Sequence, residues 1–371
     1  MKNFSCHCGN TIYFENTKCI DCERLLGYLP DYRVMSAFEP AGGHLWRALA
    51  PAAAGGIYRM CNNYRNENVC NWMIPQTEAD PFCQSCRLNL VIPNLNIAKN
   101  RQLWYRIEEA KRRLLFNLTS LGLSVVGKQE DPDRGLAFQF LEDTKSASEF
   151  SDEIIPTHRV MTGHRKGVIT INLEEADDST RERNREMFNE PYRTLLGHFR
   201  HEVGHYYWDR MIPNAGRIEK FRVLFGDERE DYPKALERYY TTGTPDFWYN
   251  TYISAYASAH PWEDWAETWA HYLHMTATLE TAHEHGFTIN GRQVRPPSAT
   301  RADPIQTVAG YFSQSLGFED LLKDWERLTL AMNALNRSMG MPDAYPFVLS
   351  AKAKEKLYFV HELIAATRAG P

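Results

Sequence analysis

The chain has 371 residues, of which 43% are hydrophobic and 24% are charged. This length and composition are typical of a globular protein with two or three domains. A net charge of −5 gives no electrostatic support for broad nucleic-acid binding. No apolar run approaches the ~18 residues that a membrane helix needs. The first residues, MKNFSCHCGNTIYFEN, lack the apolar segment of a signal peptide. We therefore expect a cytoplasmic protein.

The eight cysteines fall into two sets, both before residue 90. In a reducing compartment close cysteine pairs favour a bound metal over disulfides. We predict a zinc ribbon over residues 1–30, with a Cys₄ zinc site formed by Cys6, Cys8, Cys19 and Cys22. His7 lies between two of these residues and is an alternative ligand.

The second set is less regularly spaced. We predict a second Cys₄ zinc module over residues 58–95, formed by Cys61, Cys70, Cys83 and Cys86. The spacing leaves an interleaved arrangement open, in which the two sets share ligands. Between the two modules, the glycines and prolines of residues 31–57 predict a linker, with one short helix around Trp46 and Leu49.

From residue 98 the pattern changes to helices and two strands. Apolar residues from Trp104 to Leu118 follow a helical period. Within that helix, the basic run at residues 111–113 predicts a solvated face. Later helices are predicted over residues 318–332 and 350–368. The runs Leu136–Leu141 and Gly167–Leu173 have the alternation of strands.

The second of these runs, GVITINL, allows two interpretations. It is either an ordinary core strand or the edge strand that pairs with an extended substrate backbone.

The pattern HEVGH, His201 to His205, contains the H-E-x-x-H motif. On a helix both histidines share one face, so they can bind one Zn²⁺, with Glu202 beside the metal-bound water. Gly204 indicates close packing of this helix against a neighbour. We expect the helix to begin near Asn189 and Pro191. A core helix with two chance histidines is the competing interpretation.

A catalytic zinc needs a third protein ligand. The chain has Trp208 and Met211 where the extended metzincin motif requires Gly and His, which excludes that class. Further along, Pro261 predicts a helix start, and Glu263 and Glu267 share one face of that helix. We assign Glu263 as ligand and Glu267 as the partner of a ligand histidine. Two solvated glutamates are the alternative, and the rival ligands are Glu267 itself, Asp209, His271 and His274.

The order Tyr256, Pro261, Glu263, Ala266 and Glu267 resembles the second motif of gluzincin peptidases related to anthrax lethal factor. In those peptidases the first Glu is the third zinc ligand, and the Tyr donates a hydrogen bond to the developing oxyanion. The resemblance therefore implies these roles for Glu263 and Tyr256.

Longer stretches resemble bacterial proteins called "putative zinc-binding metallopeptidases" that carry an N-terminal zinc ribbon. The matching stretches are RMCNNYRNENVCNWMIP, FCQSCRLNLVIPNL, AKRRLLFNLTSLGL, TGHRKGVITINLEEADD, YRTLLGHFRHEVGHYYWDR and HPWEDWAETWAHYLH. We expect an α+β fold, in which two small zinc-ribbon modules precede a mainly helical zincin-like domain over residues 98–371 with a small sheet.

These observations predict a zinc metallopeptidase with one catalytic and two structural zinc ions. Its substrate would be a peptide or protein, with Glu202 as general base. The ribbons would bind a protein partner, and we expect neither a nucleic acid nor a membrane as partner. Two alternatives remain. One is a zinc-dependent protein- or nucleic-acid-binding module with a degenerate H-E-x-x-H site. The other is a DNA-dependent SprT-like peptidase.

Overall fold

The computed structural model describes residues 2–146, 155–158, 160–188, 194–213, 216–295 and 313–368. Its contacts divide the chain into two units. The first unit contains residues 1–116 and 125–188, and the second contains residues 117–124 and 189–371. This division by contacts differs from the predicted domain boundary near residue 98, which stays a prediction.

The first unit begins with a β-rich region. Strands β1 (Phe4–Ser5) and β2 (Thr11–Ile12) form an antiparallel pair. A five-stranded antiparallel sheet follows in chain order, made of β3 (Leu25–Leu29), β4 (Val34–Pro40), β5 (Leu45–Ala48), β6 (Ile57–Met60) and β7 (Met73–Pro75). The short helix α1 (Asn62–Arg65) lies between β6 and β7.

The linker predicted for residues 31–57 is therefore wrong, because these residues form strands of this sheet. Gly42, Gly43 and Gly55 have positive φ and lie in the turns between β4 and β5 and between β5 and β6. Glycines of hairpin turns and of linkers look alike in sequence. Trp46 belongs to β5 and pairs with Tyr58, so the short helix predicted around it is also wrong.

A mixed four-stranded sheet completes the first unit. Its order is β12 (Gly163–Arg165), β13 (Val168–Asn172), β9 (Ala137–Leu141) and β8 (Asn89–Val91). A separate antiparallel pair is formed by β10 (Thr144–Ser146) and β11 (Ile155–His158). Both predicted strand runs are confirmed, as β9 and β13. Because β13 lies between β12 and β9, GVITINL is an interior strand, and its proposed role as a substrate-pairing edge is wrong.

Helices α2 (Ala98–Ser120) and α3 (Asp178–Phe188) also begin in the first unit. The solvated basic face predicted on α2 is wrong for two of its three residues. Lys111 is fully buried and pairs with the buried carboxylate of Glu108 at 2.8 Å. Arg112 is 2% exposed, and only Arg113 is substantially exposed. A run of charged residues in the sequence does not predict this burial, because it does not show whether each cation has a buried acceptor. Here Lys111 pairs with Glu108, and Arg112 donates a hydrogen bond to the carbonyl of Val69.

The second unit is helical. Its elements are α4 (Leu195–Met211), α5 (Arg217–Phe225), α6 (Tyr232–Thr242), α7 (Pro261–Glu284), the hairpin β14 (Thr288–Ile289) and β15 (Arg292–Gln293), α8 (Ser313–Ser338) and α9 (Ala351–Arg368). Its core contains Trp265 and Trp269 of α7, both fully buried. The predicted fold class, an N-terminal strand-rich region followed by a mainly helical part with small sheets, is confirmed.

None of the described helices has both the length and the apolar character that crossing a bilayer requires.

Candidate metal centre

Helix α4 carries the H-E-x-x-H motif. Its N-cap is Thr194, whose hydroxyl accepts a 2.9 Å hydrogen bond from the backbone N–H of Gly197. The predicted start at Asn189 and Pro191 lies outside the described residues. The rings of His201 and His205 lie side by side, with centroids 5.0 Å apart, as their spacing on one helical face requires.

Helix α7 packs closely against α4 at Gly204. A Cβ atom on Gly204 would lie 3.1 Å from the Cα of Ala266, so even alanine there would require a shift of a few tenths of an ångström. The indole N–H of Trp265 donates a 2.8 Å hydrogen bond to the Gly204 carbonyl. The predicted helix start at Pro261 is confirmed. This close approach places the first two turns of α7 beside the two histidines.

Three side chains converge at this contact. One ligand atom each from His201, His205 and Glu263 lies within 4.8 Å of the other two. Oε2 of Glu263 is 3.0 Å from Nε2 of His201, and Oε1 is 3.6 Å from Nε2 of His205.

The carboxylate of Glu263 indicates a missing partner. Glu263 is 1% exposed, and its Oε2 has no hydrogen-bond donor among the described residues. A buried carboxylate oxygen without a donor is costly unless a cation meets it. Two imidazoles and one carboxylate are a ligand set that zinc takes in catalytic sites. The residues present therefore fit a zinc ion.

Glu267 lies one helical turn from Glu263 and contacts the other ring nitrogen of His201. Nδ1 of His201 donates a 2.7 Å hydrogen bond to Oε1 of Glu267. Oε2 of Glu267 accepts a 2.6 Å hydrogen bond from the hydroxyl of Ser254. Holding the proton on Nδ1 leaves Nε2 of His201 as the nitrogen that faces Glu263. Sequence patterns gave no signal for Ser254.

The local charges suit a cation. Burial opposes protonation of His201, but the negative charges of the Glu263 and Glu267 carboxylates hold its pKa well above the ordinary 6.5. Burial also acts to raise the pKa of Glu263, yet the imidazoles of His205 and His201 lower it to about 2. Both carboxylates therefore stay ionised beside the histidines, where a positive charge is stabilised.

Two tyrosines and Glu202 lie near this group. The ring of Tyr256 is 5.9 Å from that of His201, measured between centroids. Burial, followed by the charge of Glu263, raises the pKa of Tyr256 well above 10, and Glu202 adds to the shift. Glu202 itself is 8% exposed. Tyr232 of α6, which no motif indicated, donates a 2.7 Å hydrogen bond to Oε1 of Glu263.

Of the four rival ligands, Glu267 contacts Nδ1 of His201 without belonging to the group of three ligand atoms, and the other three also lie outside that group. Nδ1 of His271 is 2.7 Å from the hydroxyl of Tyr345, and Nδ1 of His274 is 3.2 Å from a guanidinium nitrogen of Arg200. Asp209 does not belong to any group of possible metal ligands among the described residues.

The eight cysteines form two separate groups that follow chain order. The first group is Cys6, Cys8, Cys19 and Cys22, and the second is Cys61, Cys70, Cys83 and Cys86. The described structure therefore has no interleaved sharing of ligands, and His7 belongs to neither group.

The sulfur positions in both groups suit a metal. Sγ of Cys6 is 3.5 Å from Sγ of Cys22, and Sγ of Cys70 is 3.7 Å from Sγ of Cys83, without disulfide bonds. Four thiolates at 2.3 Å around a tetrahedral zinc would lie about 3.8 Å apart. All four cysteines of the second group are buried, whereas Cys8 of the first is exposed. Each group fits one zinc ion.

Comparisons with known proteins identify two matching sequence models and several relatives. The sequence model of a family described as "Putative zinc-binding metallo-peptidase" matches residues 100–363, and a zinc-ribbon domain model matches residues 3–97. Proteins of Mycobacterium tuberculosis and Mycobacterium bovis, each named "uncharacterized protein", are 39% identical over 366 residues, covering 98% of this chain and 95% of the relative. No solved structure matches the chain.

The first match covers more than half of the chain and includes every residue of the candidate centre on α4 and α7. The expected family is confirmed. The protein belongs to the family described as "putative zinc-binding metallo-peptidase" and carries an N-terminal zinc-ribbon domain.

Proposed function

We propose that this protein is a zinc-dependent peptidase that hydrolyses peptide bonds in a peptide or protein substrate. His201, His205 and Glu263 would hold the catalytic zinc ion. The observation that carries the proposal is the buried Oε2 of Glu263, which faces Nε2 of His201 at 3.0 Å and lacks a hydrogen-bond donor in the described part of the chain. Because His201 and His205 belong to an H-E-x-x-H motif, we favour a catalytic zinc site over a purely structural one.

When bound, zinc supplies Lewis acidity, which polarises a carbonyl group and makes a water molecule acidic near neutral pH. Glu202 is the general base of the proposal. It takes one proton from the attacking water as the oxygen bonds to the carbonyl carbon. It then delivers that proton to the amine nitrogen as the C–N bond breaks. Glu202 is 8% exposed, so bulk solvent has little access to its carboxylate.

Tyr256 is the proposed donor to the oxyanion. Its raised pKa, caused first by burial, keeps the hydroxyl protonated at neutral pH, as a hydrogen-bond donor must be. Its ring centroid lies 5.9 Å from that of His201, one of the proposed zinc ligands. The positions of Tyr256, Glu263 and Glu267 support the proposal of a gluzincin-type site, similar to that of the lethal-factor-like peptidases.

The two cysteine groups are proposed to hold one structural zinc ion each. A zinc ion held by four thiolates would contribute directly to the stability of the β-rich region of the first unit. The role of the cysteine groups beyond stability is proposed to be the binding of a protein partner.

The test is hydrolysis by Glu202→Gln compared with the unchanged protein, on a panel of unfolded proteins and peptides. We expect the variant to retain its zinc and to lose about 10²–10⁴-fold in kcat, the usual contribution of a general base. Glu219→Gln, which removes an exposed carboxylate on α5, is the matched control and should keep full activity.

Equal activity of Glu202→Gln and the unchanged protein would contradict the proposed mechanism. If the zinc-loaded protein hydrolyses nothing on the panel, the binding-module alternative takes its place. Hydrolysis that requires added DNA would instead favour the SprT-like alternative.

A further inference from the structure

Tyr232 is the first residue of α6 and contacts the candidate centre directly. Its hydroxyl donates a 2.7 Å hydrogen bond to Oε1 of Glu263. Because Glu263 is 1% exposed, water has little access to replace this donor. The tyrosine is 31 residues from Glu263 in sequence and belongs to neither motif of the site.

The hydrogen bond makes the two oxygens of Glu263 unequal. Oε1 is engaged by Tyr232, whereas Oε2 faces His201 without a donor among the described residues. We propose that Tyr232 is a positioning residue that fixes the Glu263 carboxylate so that Oε2 alone is offered to the metal ion. This inference rests on Glu263 being a zinc ligand, as in the proposed function.

The number of oxygens that Glu263 offers bears directly on catalysis. A carboxylate can bind a metal through one oxygen or through both, and a catalytic zinc must keep one position open for water or substrate. A second bound oxygen would occupy that position. The hydroxyl of Tyr232 prevents this by holding Oε1 without adding another charge.

The surroundings of Tyr232 support this role. The ring centroid of Tyr232 lies 5.1 Å from that of His260 and 6.0 Å from that of Trp262, the two residues that flank Pro261 at the start of α7. These ring contacts hold the Tyr232 hydroxyl beside the first turn of α7, which carries Glu263.

The test compares Tyr232→Phe with Tyr249→Phe, which makes the same change on a half-exposed ring. Zinc at the centre on α4 and α7 is exchanged for Co²⁺, while the cysteine groups keep their zinc. The absorption spectrum of Co²⁺ reports its coordination number, so the readout does not depend on turnover.

We expect Tyr232→Phe to bind zinc about tenfold more weakly, as loss of a ligand's hydrogen-bond partner usually does. Its Co²⁺ bands should weaken and shift as coordination rises, and kcat should fall with KM unchanged. Tyr249→Phe should match the unchanged protein in all of these measurements.

An unchanged Co²⁺ spectrum and zinc affinity in Tyr232→Phe would overturn the inference. So would loss of the two cysteine-bound zinc ions together with the third, because that result would mean that Tyr232 maintains the fold. Absence of peptide hydrolysis by the unchanged protein would contradict the proposed function alone, since the spectra still decide the role of Tyr232.

Discussion

Nδ1 of His201 donates a 2.7 Å hydrogen bond to Oε1 of Glu267, one helical turn beyond Glu263. Burial acts to raise the pKa of Glu267. The hydrogen bond from His201 and the positive charge of that histidine lower this pKa, so the Glu267 carboxylate remains ionised. An ionised acceptor fixes the histidine tautomer and makes Nε2 a stronger metal ligand. The hydrogen bond between His201 and Glu267 therefore orients one metal ligand in the absence of the metal ion.

Replacing Glu267 with Gln should weaken zinc binding at this centre by about tenfold, because the charge that supports His201 is lost while the shape is kept. Zinc competition with a chromogenic chelator measures the change. Glu284→Gln removes an exposed carboxylate at the end of the same helix and is the control. Equal affinity of Glu267→Gln and the control would contradict the support of His201 by Glu267.

Arg112 should stabilise the second cysteine group. A zinc ion with four thiolates has a net charge of −2, and this group is fully buried. Arg112, itself 2% exposed, donates a hydrogen bond to the carbonyl of Val69, the neighbour of Cys70. Burial opposes its charge, but negative charge on Cys70, then on Glu108 and Cys86, raises its pKa.

The variant Arg112→Met should therefore release zinc from the second group at least about tenfold faster, because a buried cation beside Cys70 is gone. The time course of zinc transfer to a chelator gives the rate, with the first cysteine group as internal reference. Arg113→Met removes the neighbouring cation, which pairs with Glu15 and Glu109 instead. If both variants release zinc alike, Arg112 has no specific role.

His271 should make the second unit sensitive to acid. Burial lowers its pKa to about 4, partly offset by the charge of Glu267. Since the unfolded histidine has a pKa near 6.5, stability is complete above that pH and is lost as the pH falls through the window from about 6.5 to 4. The loss amounts to at most about 3 kcal/mol.

His271→Asn keeps an acceptor for the Tyr345 hydroxyl but cannot take up the proton. Its free energy of unfolding should therefore change less between pH 7 and pH 4.5 than that of the unchanged protein, as measured by urea titration at each pH. His285→Asn, at the exposed C-cap of α7, should leave the pH dependence unaltered. Parallel pH profiles for His271→Asn and the unchanged protein would contradict the linkage.

The local parts of the candidate site could be predicted from sequence. The spacing of His201 and His205 determines a shared helical face, and Pro261 marked the start of the helix that carries Glu263 and Glu267. The same holds for the cysteines, whose close pairs report tight turns. Each of these predictions depends on residues that lie close together in the sequence.

Other parts of the site depend on contacts between distant segments. Tyr232 and Ser254 reach the centre because α6 and the residues before α7 pack against it, and no periodic pattern marks them. The sequence predicted that Arg112 is solvated, but this residue is buried. The basic run around Arg112 gives no information about a group of cysteines that is distant in sequence. Residues 31–57 looked like a linker because glycine serves hairpin turns and linkers equally.

The measurement that tests the central claim most directly is the zinc content per chain of the unchanged protein and of Glu263→Ala. We predict about three zinc ions per chain, falling to about two in the variant, because loss of one of three ligands weakens only the centre on α4 and α7. About two zinc ions in both proteins would mean that this centre binds none, and would contradict the proposed peptidase site.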